Sequence, residues 1–175
     1  MATIYRTDHV GSLVRPEKLL EARDACKAGR ITLEDLRTIE DEAILEVLEM
    51  QKESGIEVFT DGEFRRQSYT TDQYDAVEGF AAEYPKNESV KPDGTKVLVQ
   101  FHTKPVVAKL RKLRRLTEHE SSFLLQHAPG PFKVTMPTPI RDFRTQQTIP
   151  VPYTSFEEIQ QDIADIFRDE LIALA

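Results

Sequence analysis

Apolar positions recur at helical spacing in the middle of this chain. Leu36, Ile39, Ala43, Val47 and Met50 fall on one face of a helix, and Ile44 and Leu48 widen that stripe. Thr32 followed three positions later by Asp35 has the spacing of a capping box, and Gly55 marks the far end. A shorter helix is predicted upstream. Pro16 suits its first position, because the N–H that proline lacks would have no partner there, and Gly29 stops it after Cys26 or Ala28. Near the end, Ser155 with Glu158 caps a helix whose Phe156, Ile159, Ile163, Ile166 and Leu171 are expected to face one way.

Short apolar runs lie between these helices. TIYRTDHV (3–10), the Ile56, Val58 and Phe59 portion of IEVFTDGE (56–63), and FKVTMPTP (132–139) each read as a strand. A helix that returns to a strand is the connection a parallel sheet requires, so the alternation indicates an α/β fold. The stretch from about 81 to 131 breaks the rhythm. KNESVKPDGTK is polar and turn-rich, while VLVQF and PVVAKL are expected to pair as a hairpin around His102 to Lys104. Three strands are too few for a parallel sheet covered on both faces, and the chain stops at DELIALA, where the next strand is due. The expectation is therefore one partial barrel domain over 1–175 with an excursion at 81–131. A minimal α/β domain is the alternative.

Composition narrows the class without naming an activity. A hydrophobic fraction of 39% and a charged fraction of 30% fit a globular protein. The net charge of −7 argues against general affinity for nucleic acid or anionic membranes. No apolar run reaches the roughly 18 residues of a membrane span. MATIYRTD lacks the apolar core of an export signal, and the one cysteine, Cys26, has no partner for an internal disulfide. A cytoplasmic location follows as an expectation.

In α/β barrels the chemistry gathers at the carboxyl ends of the strands. Here those ends are DHVGS, TDGEFRR and MPTP, and each sets polar or backbone-exposing residues directly after apolar ones. Gly11 and Ser12 can offer backbone N–H groups to a carboxylate or phosphate, or simply turn the chain. His9 reads either as a metal ligand or acid–base group, or as a hydrogen-bonded structural residue. Glu63, after Gly62, can bind an ammonium group, ligate a metal or move protons, and its structural alternative is an ion pair with Arg65 or Arg66. Asp61 is expected to cap the following turn. Pro137 and Pro139 stiffen the third strand end. KLRKLRR (109–115) has five basic residues in seven, suited to a polyanion or to an ordinary solvated face. Cys26 has no CxxC or HxC companion, and there is no P-loop, GxGxxG or GxSxG.

DHVGSLVRP and VFTDGEFRR, with the helix LRTIEDEAILEVLEMQKESG between them and FKVTMPTP and DIADIFRDEL after them, resemble the cobalamin-independent methionine synthase family, especially its short single-barrel members. The resemblance spans nearly the whole chain. It implies the N-terminal portion of a (β/α)8 TIM barrel of the uroporphyrinogen decarboxylase and methionine synthase type. The larger synthases carry a methyl group from 5-methyltetrahydrofolate to homocysteine, whose thiolate is held on zinc. The resemblance implies that Val10, Gly11 and Ser12 hold the amino-acid part of homocysteine or methionine, and that Glu63 binds the same substrate through its ammonium. His9 replaces a threonine typical of the larger synthases, so no role carries over to it.

The family's zinc ligands lie in the later half of the barrel, so no residue of this chain is assigned to the metal, and the chain by itself is expected to be inactive. Zinc, 5-methyltetrahydrofolate and a small amino-acid substrate are the cofactor, donor and partner that the resemblance implies. Two other readings stand beside it. One is another zinc-dependent thiol alkyltransferase, such as epoxyalkane coenzyme M transferase. The other is an inactive truncated fragment that survives by associating with another chain through its exposed edges.

Overall fold

Two helices carry the first core. In the computed structural model, which describes residues 9–66, 71–101, 103–139 and 148–175, these are α1 (Glu17–Lys27) and α2 (Leu33–Glu53). Pro16 is the N-cap of α1 and not its first helical residue, since its carbonyl accepts from the N–H groups of Leu19 and Leu20. The predicted capping box of α2 forms. Asp35 N–H donates to Thr32 Oγ1 at 3.1 Å, and Thr32 N–H donates to the Asp35 carboxylate at 2.9 Å. Both helices close with a paired bond pattern across a glycine. In α2 the Ile56 N–H reaches the Gln51 carbonyl at 2.9 Å and the Gly55 N–H reaches Lys52 at 3.0 Å, which requires the left-handed φ of 75° at Gly55.

The chain divides into two compact units, one comprising 1–67 and 118–135, the other 68–117 and 136–175. In the first, Leu19, Ala22, Leu36, Ala43, Ile44, Val47, Leu48, Phe59, Phe64 and Leu124 form the core. Each large apolar side chain removed from water there contributes about 1.5–3 kcal/mol. Met50, expected in the stripe, is instead exposed. Helix α4 (Glu118–His127), inside the stretch read as an excursion, packs into this core through Leu124.

The strands expected at 56–63 and 132–139 shrink to one parallel bridge between Phe59 and Phe132. Phe59 N–H donates to the Pro131 carbonyl, and Lys133 N–H donates to the Phe59 carbonyl, both at 2.9 Å. On the opposite side Thr60 is bonded by a side chain. Gln51 Nε2 donates to the Thr60 carbonyl at 2.8 Å and Gln51 Oε1 accepts from its N–H at 3.0 Å. Gly62 and Glu63 then turn left-handed and end the extended run. The strand expected at 3–10 lies almost wholly outside the described residues.

In the second unit, α3 (Thr71–Ala76) leads into β1 (Val77–Phe80), followed by β2 (Lys86–Val90), β3 (Lys96–Gln100), β4 (Val106–Lys112) and α5 (Phe156–Leu174). The expected hairpin of VLVQF with PVVAKL does not form. Instead β3 pairs antiparallel with β2 across the PDGT turn, and β4 pairs antiparallel with β1. KNESV is thus a strand with every residue exposed, so it carries no apolar alternation to announce it. His102 lies outside the described residues. Ser155 caps α5, with Glu158 N–H donating to its hydroxyl at 3.3 Å. Ile159, Ile163 and Phe167 meet Val77, Val106, Leu110 and Tyr153, whereas Phe156 and Leu171 face out.

Four of the five basic residues in the run on and after β4 meet a carboxylate, and Arg114 donates to the Arg115 carbonyl at 2.9 Å. Lys109 pairs with Asp162, Arg111 with Glu78, Lys112 with Asp169 and Arg115 with Glu170. Most of this run's charge is thus paired within the second unit. The folded chain is mixed α/β. No helix among the described residues is long and apolar enough to cross a membrane.

Candidate functional site

Within the first unit, Thr60 ties the opening turn to the TDGE tip. Its Oγ1 donates to the Gly11 carbonyl at 3.0 Å and accepts from the Gly62 N–H at 3.3 Å. His9 Nε2 lies 2.9 Å from the same oxygen. A hydroxyl has one proton, and here it points at a carbonyl, so His9 Nε2 is the protonated donor of its own contact. This imidazole is engaged structurally through the ring nitrogen nearest Thr60. Leu13 N–H donates to the Gly62 carbonyl at 3.0 Å and closes the pairing of the two loops.

Glu63 sits at the tip with φ of 58°, a backbone conformation that costs a side-chain-bearing residue about 1–2 kcal/mol. Neighbours hold it there. Its N–H donates to Asp61 Oδ1 at 3.0 Å, the turn-capping role expected of Asp61, and its carbonyl accepts from Arg15 Nη2 at 2.9 Å. Arg15 also reaches the Arg66 carbonyl at 3.2 Å. Backbone strain of this kind concentrates where a side chain has to be aimed.

Glu63 is 8% exposed as a residue, and its carboxylate Oε1 accepts from Thr135 Oγ1 at 2.7 Å. Neither of the arginines considered from the sequence pairs with it. Arg65 goes to Asp41 and Glu40, and Arg66 goes to the buried Glu120. Among the described residues no cation partners Glu63. Burying a carboxylate costs free energy unless a charge or donors compensate it, so a ligand cation is the natural complement.

Gly11 lies directly against this pair. A Cβ built on it would meet Thr135 Cγ2 at 2.5 Å and Glu63 Oε1 at 3.1 Å. Only a residue without a side chain fits. The structure therefore brings Gly11 and Glu63 together, while Val10, at 82% exposure, and the exposed Ser12 flank them on open backbone. Three contributors went unread in the sequence: Thr60, Thr135 and the Arg66–Glu120 pair. Thr135 stands inside FKVTMPTP, where a hydroxyl near the end of an apolar run is the one local signal of its role. Pro137 and Pro139 fall in the second unit.

The family model described as the cobalamin-independent synthase catalytic domain matches residues 5–170. This chain belongs to the cobalamin-independent methionine synthase family. Among its relatives, the uncharacterised protein YxjH of Bacillus subtilis is 34% identical over 97% of this chain and 44% of its own length. The solved putative vitamin-B12-independent methionine synthase of Listeria monocytogenes shares the fold with a TM-score of 0.72 at 24% identity, covering 99% of this chain and 49% of that one. A B12-independent methionine synthase from Shewanella, solved with selenomethionine, gives 0.61 at 22% identity, covering 83% and 40%. The chain thus spans less than half the length of these relatives.

Family membership implies zinc, and the residues at hand do not fit it. Among the described residues no group of three or more His, Cys, Asp or Glu side chains can hold a metal ion. Cys26 is half-buried in α1 and packs against the first core, and His9 is bonded to Thr60. Neither forms part of a donor set, so no chemical step is derived through a metal here.

Proposed function

We propose that this chain is the N-terminal portion of a methionine synthase barrel and binds the amino-acid end of homocysteine or methionine. In this reading Glu63 accepts the substrate ammonium. Gly11 leaves room for the Thr135 and Glu63 side chains to close against the opening turn, and backbone N–H groups of the Val10 to Ser12 segment take the substrate carboxylate. The observation that carries the reading is a buried Glu63 whose carboxylate has one neutral donor and no cationic partner among the described residues, set against a glycine that admits no side chain. The Shewanella neighbour holding selenomethionine supports the choice of ligand class.

Methyl transfer from 5-methyltetrahydrofolate to a zinc-bound thiolate belongs to the complete barrel in this proposal, with the metal and the thiol activation supplied from outside this chain. Coenzyme M, the thiol substrate of the alternative alkyltransferase reading, carries a sulfonate and no ammonium, and would leave Glu63 uncompensated. Ligand-observed NMR with homocysteine, followed by competition with coenzyme M, tests the assignment. Homocysteine signals that coenzyme M fails to displace are expected. Binding of coenzyme M in preference to homocysteine overturns it.

A further inference from the structure

The geometry points to Arg66 and Glu120 as positioning residues that act through Thr135 to keep the Glu63 carboxylate aimed and uncompensated for a ligand amine. The inference rests on the ammonium-binding reading of Glu63 and adds the residues that make it selective. Arg66 and Glu120 are 3% and 1% exposed, and the guanidinium meets the carboxylate through both Nε and Nη2. The fork-to-fork pairing fixes the plane of Arg66. From that plane Nη1 donates to Thr135 Oγ1 at 3.1 Å and Nη2 donates to the Thr135 carbonyl at 2.7 Å.

Two consequences follow at Glu63. Because Thr135 Oγ1 already accepts from Arg66, its own proton is directed onward to Glu63 Oε1, 2.7 Å away. The hydroxyl thus acts as a one-way donor, pinning one carboxylate oxygen and leaving Oε2 for a ligand. Glu120 supplies the second consequence. It neutralises Arg66, the nearest guanidinium in this relay, so that Arg66 does not become the counter-ion of Glu63. With a neutral residue at position 120, the positive charge of Arg66 faces Thr135 and Glu63 and competes with a ligand ammonium. The device lies wholly within the first unit, where the tip (61–66), α4 and the 132–135 segment meet.

The test compares binding of L-methionine with that of 4-(methylthio)butanoate, which lacks only the amino group, by calorimetry on the 175-residue chain. Thermal midpoints serve as the control for folding. The wild type is expected to prefer methionine. Thr135→Val, which keeps the shape and removes the donor, should cut that preference about tenfold, and Thr135→Ser should restore it. Glu120→Gln should cut it by a similar factor while leaving the affinity for the amine-free ligand unchanged. A residue important only for packing would weaken both ligands equally. If Glu63→Gln abolishes the preference while Thr135→Val and Glu120→Gln retain it, the positioning inference fails and the Glu63 reading survives. A wild type that shows no preference, or no binding, overturns both.

Discussion

Gln51 grips Thr60 by both of its main-chain groups, donating to the carbonyl at 2.8 Å and accepting from the N–H at 3.0 Å. One amide side chain from α2 thus does what a neighbouring strand does in a sheet, and a third bond, from Nε2 to the Val47 carbonyl at 3.0 Å, fixes its direction. Gln51→Leu should leave a buried N–H and C=O without partners and cost about 2–4 kcal/mol. Urea unfolding measures it, and a loss below about 1 kcal/mol contradicts the bridging role.

Gly11 should tolerate no side chain. The Cβ of Gly11→Ala would stand 2.5 Å from Thr135 Cγ2 and 3.1 Å from Glu63 Oε1, so either the hydroxyl bond between those residues or the opening turn has to shift. Methionine affinity is expected to fall by about tenfold or more, with a stability loss of about 1–3 kcal/mol. Calorimetry and a urea titration on the same variant read the two effects separately. Unchanged affinity would show that the close fit of Thr135 and Glu63 against Gly11 does not support ligand binding.

Glu170 gives the second unit an acid-sensitive anchor. Burial alone pushes its carboxyl up, but bonds from the Thr117 hydroxyl at 2.6 Å, from Arg115 at 3.1 Å and from the Leu116 N–H at 2.9 Å outweigh that and hold it below the usual carboxylate value. A carboxyl held low in the fold stabilises where it is ionised. The contribution is complete above the ordinary glutamate value of 4.5 and is lost as the pH falls through the lowered one. Thermal midpoints of the wild type and Glu170→Gln should therefore differ most near neutral pH and converge on acidification. A gap that widens in acid contradicts the assignment.

How far the sequence revealed this molecule depends on whether a contact is made by apolar periodicity or by single polar atoms. The helices α1, α2 and α5 announced themselves through capping pairs, glycine stops and 3.6-residue stripes, and the turn at DGEF through Asp61. Helix α4 did not, because it turns Glu120 and Ser121 inward beside Leu124 and leaves Leu125 exposed at 77%. A stripe made of a carboxylate and a hydroxyl is invisible to a hydrophobic pattern. The same reason hid Thr135, whose part is a single proton, and Gln51, whose amide replaces a strand. The true hairpin partner is silent in the sequence because β2 is exposed at every residue and so shows no alternation to compete with the apolar VVAKL. Gly11 and Glu63 were legible because a glycine before an open turn and a carboxylate at a strand end leave local marks, although only folding sets them against each other.

Titration of L-methionine into the wild type and into Glu63→Gln at neutral pH goes most directly to the central claim. Glutamine keeps the acceptor for Thr135 and the shape of the tip but removes the negative charge. The wild type should bind and the variant should bind at least about tenfold more weakly, with little change in thermal midpoint. Equal affinity in the two proteins would contradict the claim that the Glu63 carboxylate receives the amino group.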